Sequence, residues 1–379
     1  MFGLRVALAC ALTLGALPSA LAQDTQRFRT DKVEVIVETV ARDLQNPWGL
    51  AFLPDNRMLV TERAGKLRIV DAGGNLSEPL QGLPRIAVRG QAGLLDVALD
   101  PDFARNRLVY LSYAEDRGEG RAGTSVARAR LAENGAALES LQVIFRQEPG
   151  YTGNNHWGSR LVFDRAGNLF VTLGDRFDLR DQAQNPANHI GKIVHIRREG
   201  GAAPDNPFLN REDARPEIWS LGHRNVQAAA LNPSTGELWT AEHGARGGDE
   251  VNIPQKGRNY GWPVISYGVD YSGAKIGEGT RKEGMEQPVY YWDPSIAPSG
   301  MAFYTGDKFP AWRGSVLVGA LAGKLVSRLE TSGNRVTGEE RMLQQLGERI
   351  RDVRQGPDGF VYLLTDSRSG RILRIRPAS

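Results

Sequence analysis

The chain has 379 residues, with 47 Lys or Arg and 44 Asp or Glu, so its formal net charge is only +3. Charges of both signs are mixed and no run of Lys or Arg appears, which argues against a nucleic-acid partner. The chain is much longer than an average domain, so it holds either two domains or one large β architecture.

Residues 1–22 have the pattern of a secretory signal peptide. Arg5 precedes a largely apolar stretch over residues 6–17, and residues 20–22 (Ala-Leu-Ala) match an A-x-A cleavage site. We expect cleavage after Ala22 and a periplasmic or secreted mature protein. The apolar stretch is too short for a stable membrane span, and no later segment has the apolar length of one. Cys10, the single cysteine, lies in this leader, so the mature chain needs no disulfide.

A hairpin pattern recurs six times. Each copy has an alternating apolar strand, a turn containing Pro, Asp, Asn or Gly, and a second apolar strand, at intervals of about 60 residues. The copies begin at Gly49, Asp96, Ser159, Ala228, Gly300 and Asp352. One hairpin cannot bury its apolar face alone, whereas six closed around an axis can. No linker separates the copies, so we prefer one propeller to a stack of β-sandwich domains.

The predicted fold class is therefore all-β. We expect a six-bladed β-propeller of four-stranded antiparallel blades that forms a single domain over residues 23–379. The longest interval without a hairpin copy, residues 242–298, is rich in Gly, Asn, Tyr and Trp. Long loops on the face of a propeller commonly carry function.

His156 is the first candidate for catalysis. It lies among amides and glycine at residues 154–158 (Asn-Asn-His-Trp-Gly), just before the third hairpin, and Asp175 follows the end of that hairpin. Because the two ends of a hairpin lie close together, Asp175 can approach His156 and raise its basicity, as a general base requires. The alternatives are a hydrogen-bonded loop histidine and an aspartate that caps a turn.

Cationic residues precede two other hairpins, at residues 222–225 (Gly-His-Arg-Asn) and 349–352 (Arg-Ile-Arg-Asp). Arg349 and Arg351 share one face of an extended strand, and neighbouring guanidinium groups repel one another unless an anion lies between them. They either bind carboxylates of a ligand, pair with Asp or Glu, or form a solvated edge.

The end of the fourth hairpin offers hard oxygen ligands. Residues 242–250 combine a glycine-rich turn with nearby carboxylates, which matches the preference of calcium but not an EF-hand loop. The five histidines form no H-E-x-x-H pair, and neither a G-x-S-x-G elbow nor a G-x-G-x-x-G fingerprint after a strand is present.

Taken as a set, the motifs resemble the soluble PQQ (pyrroloquinoline quinone)-dependent sugar dehydrogenases of the glucose/sorbosone dehydrogenase family, and the aldose sugar dehydrogenase branch in particular. The resemblance runs from residue 46 to residue 352. It rests on residues 90–96 (Gly-Gln-Ala-Gly-Leu-Leu-Asp), 155–158 (Asn-His-Trp-Gly), 222–225, 248–252 (Gly-Asp-Glu-Val-Asn), 259–262 (Asn-Tyr-Gly-Trp) and 349–352. It implies a six-bladed propeller that holds PQQ over its axis and oxidises aldoses to lactones.

The resemblance also implies roles for single residues. His156 would be the general base and Asp175 would orient it. The residues matching PQQ contacts are Gln91, Arg224, Asn225, Ala320, Arg349 and Arg351. The carbonyls of Gly244 and Ala245 would hold a calcium ion that polarises the quinone, and Glu250 and Tyr260 match a second calcium site.

Two positions depart from the family pattern. Glucose-oxidising members have Ser-Leu-Lys with a lysine that meets PQQ, whereas residues 320–324 here read Ala-Leu-Ala-Gly-Lys, so the lysine is missing at Ala322 or displaced to Lys324. The family's Gly-Pro at the calcium turn is Gly244-Ala245. The absence of long insertions implies an open pocket, broad use of aldoses and a monomer.

The expected partners are an aldose substrate and an external electron acceptor that the sequence does not identify. Two other readings remain. A calcium-dependent propeller lactonase would centre its metal on Glu, Asn and Asp side chains, whereas here arginines gather at the axis. A cofactor-free propeller that binds sugar or protein is the alternative raised by Ala322.

Overall fold

The computed structural model describes residues 25–378, which form a ring of six antiparallel β-sheets. The predicted leader over residues 1–22, including Cys10, lies outside the described residues. Within residues 25–378, no helix is both long enough and apolar enough to cross a lipid bilayer.

The chain starts with two strands that belong to the last blade, β1 (Thr25–Arg29) and β2 (Glu34–Leu44). Blade 1 has β3 (Pro47–Phe52), β4 (Met58–Glu62) and β5 (Lys66–Val70). Blade 2 has β6 (Leu94–Leu99), β7 (Leu108–Asp116), β8 (Ala122–Leu131) and β9 (Leu138–Arg146), and a short helix, α1 (Phe103–Asn106), joins β6 to β7. Blade 3 has β10 (Leu161–Phe163), β11 (Leu169–Thr172), β12 (Lys192–Ile196) and β13 (Ile218–Leu221).

Blade 4 has β14 (Val226–Leu231), β15 (Leu238–Glu242), β16 (Asp249–Asn252) and β17 (Tyr290–Trp292). Blade 5 has β18 (Pro298–Phe303), β19 (Val316–Ala320), β20 (Leu325–Ser332) and β21 (Arg335–Met342). Blade 6 has β22 (Ile350–Gln355), β23 (Val361–Thr365) and β24 (Gly370–Pro377). Three short 3-10 helices lie in loops, at Arg180–Gln184, Pro310–Trp312 and Gln344–Leu346.

The predicted six-bladed propeller is confirmed, and each predicted hairpin forms the first two strands of one blade. Blades 2 to 5 have four strands each. In blade 1 the fourth position is taken by an irregular segment, whose Ser77 and Leu80 N–H groups donate to the carbonyls of Ile69 and Leu67 at 2.8 Å. Such a segment has no period-two pattern, because only part of its backbone pairs with β5.

Blade 6 closes the ring by joining both ends of the chain. Strand β2 pairs antiparallel with β24, and β1 pairs with β2 as a fifth strand. Closure of this kind leaves only short free edges, which limits pairing with other chains.

The first strand of every blade lines the axis, and neighbouring first strands contact one another around the ring. Hydroxyl groups on the second strands link successive blades. The side chains of Thr61, Ser112 and Thr172 each donate to a main-chain carbonyl of the next blade, at Leu95, Ser159 and Val226 respectively. Each hydroxyl also accepts an N–H from the first strand of its own blade or, for Thr172, from the residue directly before it, so one side chain links two blades.

Arg160, directly before β10, fills the axis. Its side chain is 1% exposed and forms ion pairs with Asp96 of blade 2 at 3.3 Å and Asp352 of blade 6 at 3.2 Å. Its guanidinium lies 4.2 Å from the ring of Trp48 in blade 1. It also donates to three carbonyls, those of Gln227, Ser299 and Arg351. One side chain of blade 3 therefore contacts the first strands of all five other blades.

We predict that Arg160→Met lowers the free energy of unfolding by about 3–5 kcal/mol, because it leaves buried carboxylates short of a cation. Arg57→Met is the matched control, since Arg57 pairs with Asp55 at the surface and an exposed pair contributes less than about 1 kcal/mol. Denaturant unfolding followed by circular dichroism measures both. Equal losses in the two variants would contradict the role given to Arg160.

Candidate active site

The predicted site residues lie on one face of the propeller. His156, Asn225 and Arg349 precede the first strands of their blades, whereas Asp175 and Gly244 follow the second strands. Because the first two strands of a blade are antiparallel, the start of one and the end of the other share an edge. Site residues of several blades therefore meet at this edge, as Asp175 meets His156 in blade 3.

A cleft of about 370 Å³ opens on this face. Four predicted site residues line it, namely His156, Asp175, Arg224 and Ala245. The remaining lining residues are Phe177, Asp178, Arg180, Asp181, Trp262, Asp270 and Tyr271, which come from the loop between β11 and β12 and from the long loop before β17.

His156 and Asp175 form a buried pair in this cleft. Nδ1 of His156 and Oδ1 of Asp175 are 2.6 Å apart, and an ionised carboxylate only accepts, so Nδ1 carries the proton. Asp175 is held by two further donors, the N–H of Phe177 and Nε1 of Trp262, both at 2.8 Å. Within residues 25–378 no other group hydrogen-bonds the imidazole, so Nε2 keeps a free lone pair.

Burial lowers the pKa of His156, and the positive charges of Arg224 and Arg176 lower it further, although Asp175 acts in the opposite direction. The imidazole is therefore neutral at neutral pH, which is the form that accepts a proton. The backbone N–H of His156 donates to Oε1 of Gln91 at 2.9 Å, which links the histidine to the loop before β6.

Arg224 and Asn225 bring unpaired donors to the axis. Nη1 of Arg224 donates to the carbonyls of His243 and Gly244, and Nη2 lies 3.3 Å from the hydroxyl of Tyr271. Nε of Arg224 and Nδ2 of Asn225 are buried, and neither has a hydrogen-bond partner among the described residues. Buried N–H groups are rarely left without an acceptor, so this region suits an anionic or carbonyl-rich ligand.

Arg349 and Arg351 both pair with one carboxylate, that of Asp366. Pairing with Asp or Glu was one of the three alternatives that the sequence left open. Both guanidinium groups lie 3.1 Å from Oδ2 of Asp366. Although burial opposes it, Arg351 and Arg349 lower the pKa of Asp366 to about 2. Nε of Arg351 is buried and has no partner among residues 25–378. Arg349 is half-exposed, so its charge is partly hydrated.

His243 lies within the electrostatic influence of both groups of cations. Burial lowers its pKa to about 3, and the nearby charges of Arg224 and Arg351 act in the same direction. Its Nε2 lies 2.7 Å from the carbonyl of Pro298. The positive charges of Arg224 and Arg351 thus both act on the imidazole of His243, although the two arginines come from different blades.

Ala320 and Gln91 take different positions. Ala320 is the last residue of β19 and its methyl group is fully buried in the apolar core, so only its backbone is available for a ligand. Gln91 is exposed and its Oε1 is bound to His156. Lys324, the displaced lysine, is exposed in the turn between β19 and β20 on the same face.

Three of the four predicted metal residues, Gly244, Glu250 and Tyr260, line a small cavity of about 20 Å³ together with Glu242, whereas Ala245 lines the larger cleft. Burial and the nearby Glu242 raise the pKa of Glu250 to about 8. Asn252 donates to both carboxylates, while its own buried Oδ1 has no partner among the described residues. Within residues 25–378 no cluster of three or more His, Cys, Asp or Glu side chains forms a metal site.

Sequence reasoning assigned no individual role to Glu242 or Asp366, although the sequence carries a signal for both. In four blades a threonine at the end of the second strand is followed within three residues by a carboxylate. The pairs are Thr61 with Glu62, Thr172 with Asp175, Thr240 with Glu242, and Thr365 with Asp366. Only the Asp175 copy stood out, because it lies beside the His156 motif. Phe177, Arg180 and Tyr271 carry no pattern that marks them as lining the cleft.

The described residues form a six-bladed propeller that carries a buried histidine–carboxylate pair in its cleft and two buried arginines, Arg224 and Arg351, on the same face. Residues 44–374 match the family model described as Glucose / Sorbosone dehydrogenase. The chain therefore belongs to this family, which confirms the predicted family and the predicted class of enzyme, a sugar oxidoreductase.

The relatives agree with this assignment. An aldose sugar dehydrogenase of Escherichia coli is 49% identical over 346 residues, which cover 90% of this chain and 93% of that protein. The crystal structure of the soluble E. coli aldose sugar dehydrogenase in its apo-form superposes with a TM-score of 0.88, at 49% identity, over 90% of this chain and 99% of the other. The PQQ-bound aldose sugar dehydrogenase of Streptomyces coelicolor has a TM-score of 0.75 at 27% identity, over 94% of this chain and all of the other.

We predict that NMR titration of the apoprotein gives His156 a pKa below the usual histidine value of about 6.5. Asp175→Asn lowers that pKa further, because it removes the negative charge that favours the imidazolium ion. The His156 signal is assigned by its loss in His156→Gln. A rise of the pKa in Asp175→Asn would contradict the pairing described here.

Proposed function

We propose that this protein oxidises aldoses at the anomeric carbon to lactones, with PQQ and calcium as cofactors and His156 as the general base. One observation carries the proposal. Three buried donors without partners, Nε of Arg224, Nδ2 of Asn225 and Nε of Arg351, lie at the axial face that also holds the His156–Asp175 pair. PQQ has three carboxylates and carbonyl oxygens, which are the acceptors that such donors require.

His156 removes the proton from the anomeric hydroxyl. Its Nε2 is the free basic atom, because Asp175 occupies Nδ1 and fixes the tautomer. When bound, PQQ supplies an ortho-quinone that accepts the hydride from the same carbon. Loss of the hydroxyl proton and of the hydride together converts the aldose to its lactone. Asp175 also stabilises the imidazolium that forms, which keeps the proton on His156 during the reaction.

Arg224, Asn225 and Arg351 would hold the anionic cofactor from blades 4 and 6, with Gln91, Arg349 and the backbone of Ala320 at its edge. Each of these residues lies on the same face as His156. Arg351 is paired with Asp366, so a cofactor carboxylate would share a guanidinium group that is already fixed in place. A fixed donor loses little rotamer freedom on binding, which favours affinity.

Calcium would bind beside the cofactor through the carbonyls of Gly244 and Ala245. A second ion would bind at Glu250 and Tyr260. The hydroxyl of Tyr260 already donates to the carbonyl of Ile253 and accepts from Gln255, so Tyr260 would contribute its carbonyl. The buried carboxylate of Glu242 and the partly buried carboxylate of Glu250, together with the free Oδ1 of Asn252, support a cation at this place.

Residues 1–22 would be a signal peptide cleaved after Ala22, which leaves residues 23–379 as one domain in the periplasm or outside the cell. The protein would act as a monomer and would pass electrons to an external acceptor.

Reconstitution tests the function directly. We expect apoprotein loaded with PQQ and Ca²⁺ to reduce a redox dye in the presence of several aldoses and to release lactone, while protein without PQQ does not. Dye reduction by no sugar would contradict the proposal. Cleavage of a lactone without PQQ would identify a hydrolase instead.

His156→Ala is expected to bind PQQ, seen in the visible absorption spectrum, but to lose turnover by about 10²–10⁴-fold. His195→Gln is the matched control. His195 is also a buried histidine bound to a carboxylate, Asp164 at 2.9 Å, but Asp164 lies in the turn between β10 and β11, opposite the cleft. Equal turnover in His156→Ala and the wild type would remove His156 from the mechanism.

Arg351→Met should raise the Kd for PQQ by about 10-fold or more, because a buried charged donor is lost. Arg349→Met should have a smaller effect, since its half-exposed side chain contributes a screened charge. Absorbance titration with PQQ at constant Ca²⁺ measures both constants. An unchanged Kd in Arg351→Met would show that PQQ does not bind at this end of the axis.

A further inference from the structure

Arg176 is a buried cation that the mechanism above does not use. It follows Asp175 in the loop between β11 and β12, and its side chain is fully buried. No carboxylate among the described residues forms an ion pair with it. A buried guanidinium group without a carboxylate is costly, so its other contacts must compensate.

Those contacts come from the segment that carries His156. Arg176 donates to the carbonyls of Asn155 at 3.1 Å, Gly153 at 2.5 Å and Ala122 at 3.2 Å. Its guanidinium also lies 3.4 Å from the centre of the Trp157 ring. Residues on both sides of His156 in the chain are thus bound to one planar group.

The backbone here is held in an unusual conformation. His156, Arg176 and Phe177 have φ values of 53°, 59° and 68°, in the left-handed region that side chains other than glycine rarely adopt. The ring of Phe177 packs edge-on against the imidazole with centroids 5.2 Å apart. Such conformations persist where surrounding contacts fix them, and they are common at functional sites.

The charge of Arg176 also reaches His156. Four charged or titratable groups act electrostatically on the imidazole: Asp175, Arg176, Arg224 and His243. The two arginines favour the neutral imidazole, and Asp175 favours the imidazolium. Arg224 binds the loop after β15, where the proposed calcium carbonyls lie. Arg176 forms no hydrogen bond with that loop, so its effect on His156 can be tested apart from the proposed calcium site.

We propose that Arg176 is a positioning residue for the general base: its guanidinium group clamps the loop on both sides of His156 and thereby directs Nε2 into the cleft. This proposal rests on the proposed function. It assigns to Arg176 an effect on the rate of the chemical step, since small displacements of a catalytic group cost large factors in rate.

The test compares Arg176→Met, Arg176→Lys and Arg328→Met as enzymes loaded with PQQ and Ca²⁺. Arg328 is equally buried, but it pairs with Glu340 in blade 5, far along the chain from the cleft loops. We expect kcat in Arg176→Met to fall about 10-fold or more while KM for the aldose and the Kd for PQQ change less than about 3-fold. Arg176→Lys should retain part of kcat, and Arg328→Met should lose stability but keep kcat.

The pH dependence of kcat separates positioning from a merely structural role. Removal of the positive charge in Arg176→Met stabilises the imidazolium, so the acidic limb of the kcat profile should move to higher pH. Arg176→Lys keeps the charge and should leave that limb in place. A lower Tm with unchanged kcat and an unchanged limb in both variants would overturn the proposal.

Two further outcomes are informative. If Arg176→Met does not fold, Arg176→Lys is the deciding variant. A reduced kcat at a Tm near that of the wild type supports the proposal, and an unchanged kcat contradicts it. If the loaded wild type oxidises no aldose, the proposed function fails. NMR titration of His156 in the apoprotein then tests Arg176 separately. An unchanged His156 pKa and ring environment in Arg176→Met would overturn the clamp.

Discussion

The ion-paired guanidinium of Arg160 is the contact on which the rest of the propeller depends. It lies on the axis and joins the first strands of all six blades through Asp96, Asp352, Trp48 and three main-chain carbonyls. Arg354 adds a second cation to the same two carboxylates. Because His156, Asn225 and Arg349 directly precede first strands or lie a few residues before them, this central network helps to set the positions of these site residues.

Buried arginines along the axis occur in two different environments. Arg160 is fully satisfied by carboxylates and carbonyls, as expected of a structural group. Arg224 and Arg351, nearer the cleft, each leave a buried Nε without an acceptor. Arg160 thus marks the part of the axis that holds the fold together, whereas Arg224 and Arg351 mark the part at which we propose that the cofactor binds.

Most of the architecture was predictable from the turns, because Pro, Asp and Gly between alternating apolar residues mark a hairpin wherever they occur. The fourth position of blade 1 was not, because Ser77 and Leu80 pair without a strand pattern. In the site, hairpin geometry brought Asp175 to His156, and alternation placed Arg349 beside Arg351. Arg160 and Arg176 were missed, because a lone arginine before or after a strand gives no sign that its side chain turns inward.

Closure of the ring through β2 and β24 has a consequence for biosynthesis. Strand β2 is made early and β24 last, so blade 6 is incomplete until nearly the whole chain has been translated. Arg351 and Asp366 belong to this blade and become fixed only at that step. A partly synthesised chain would be an open arc with free strand edges, unable to retain a small molecule at its centre. Under the proposed function, the cofactor contacts of blade 6 would therefore form only after β24 has paired with β2.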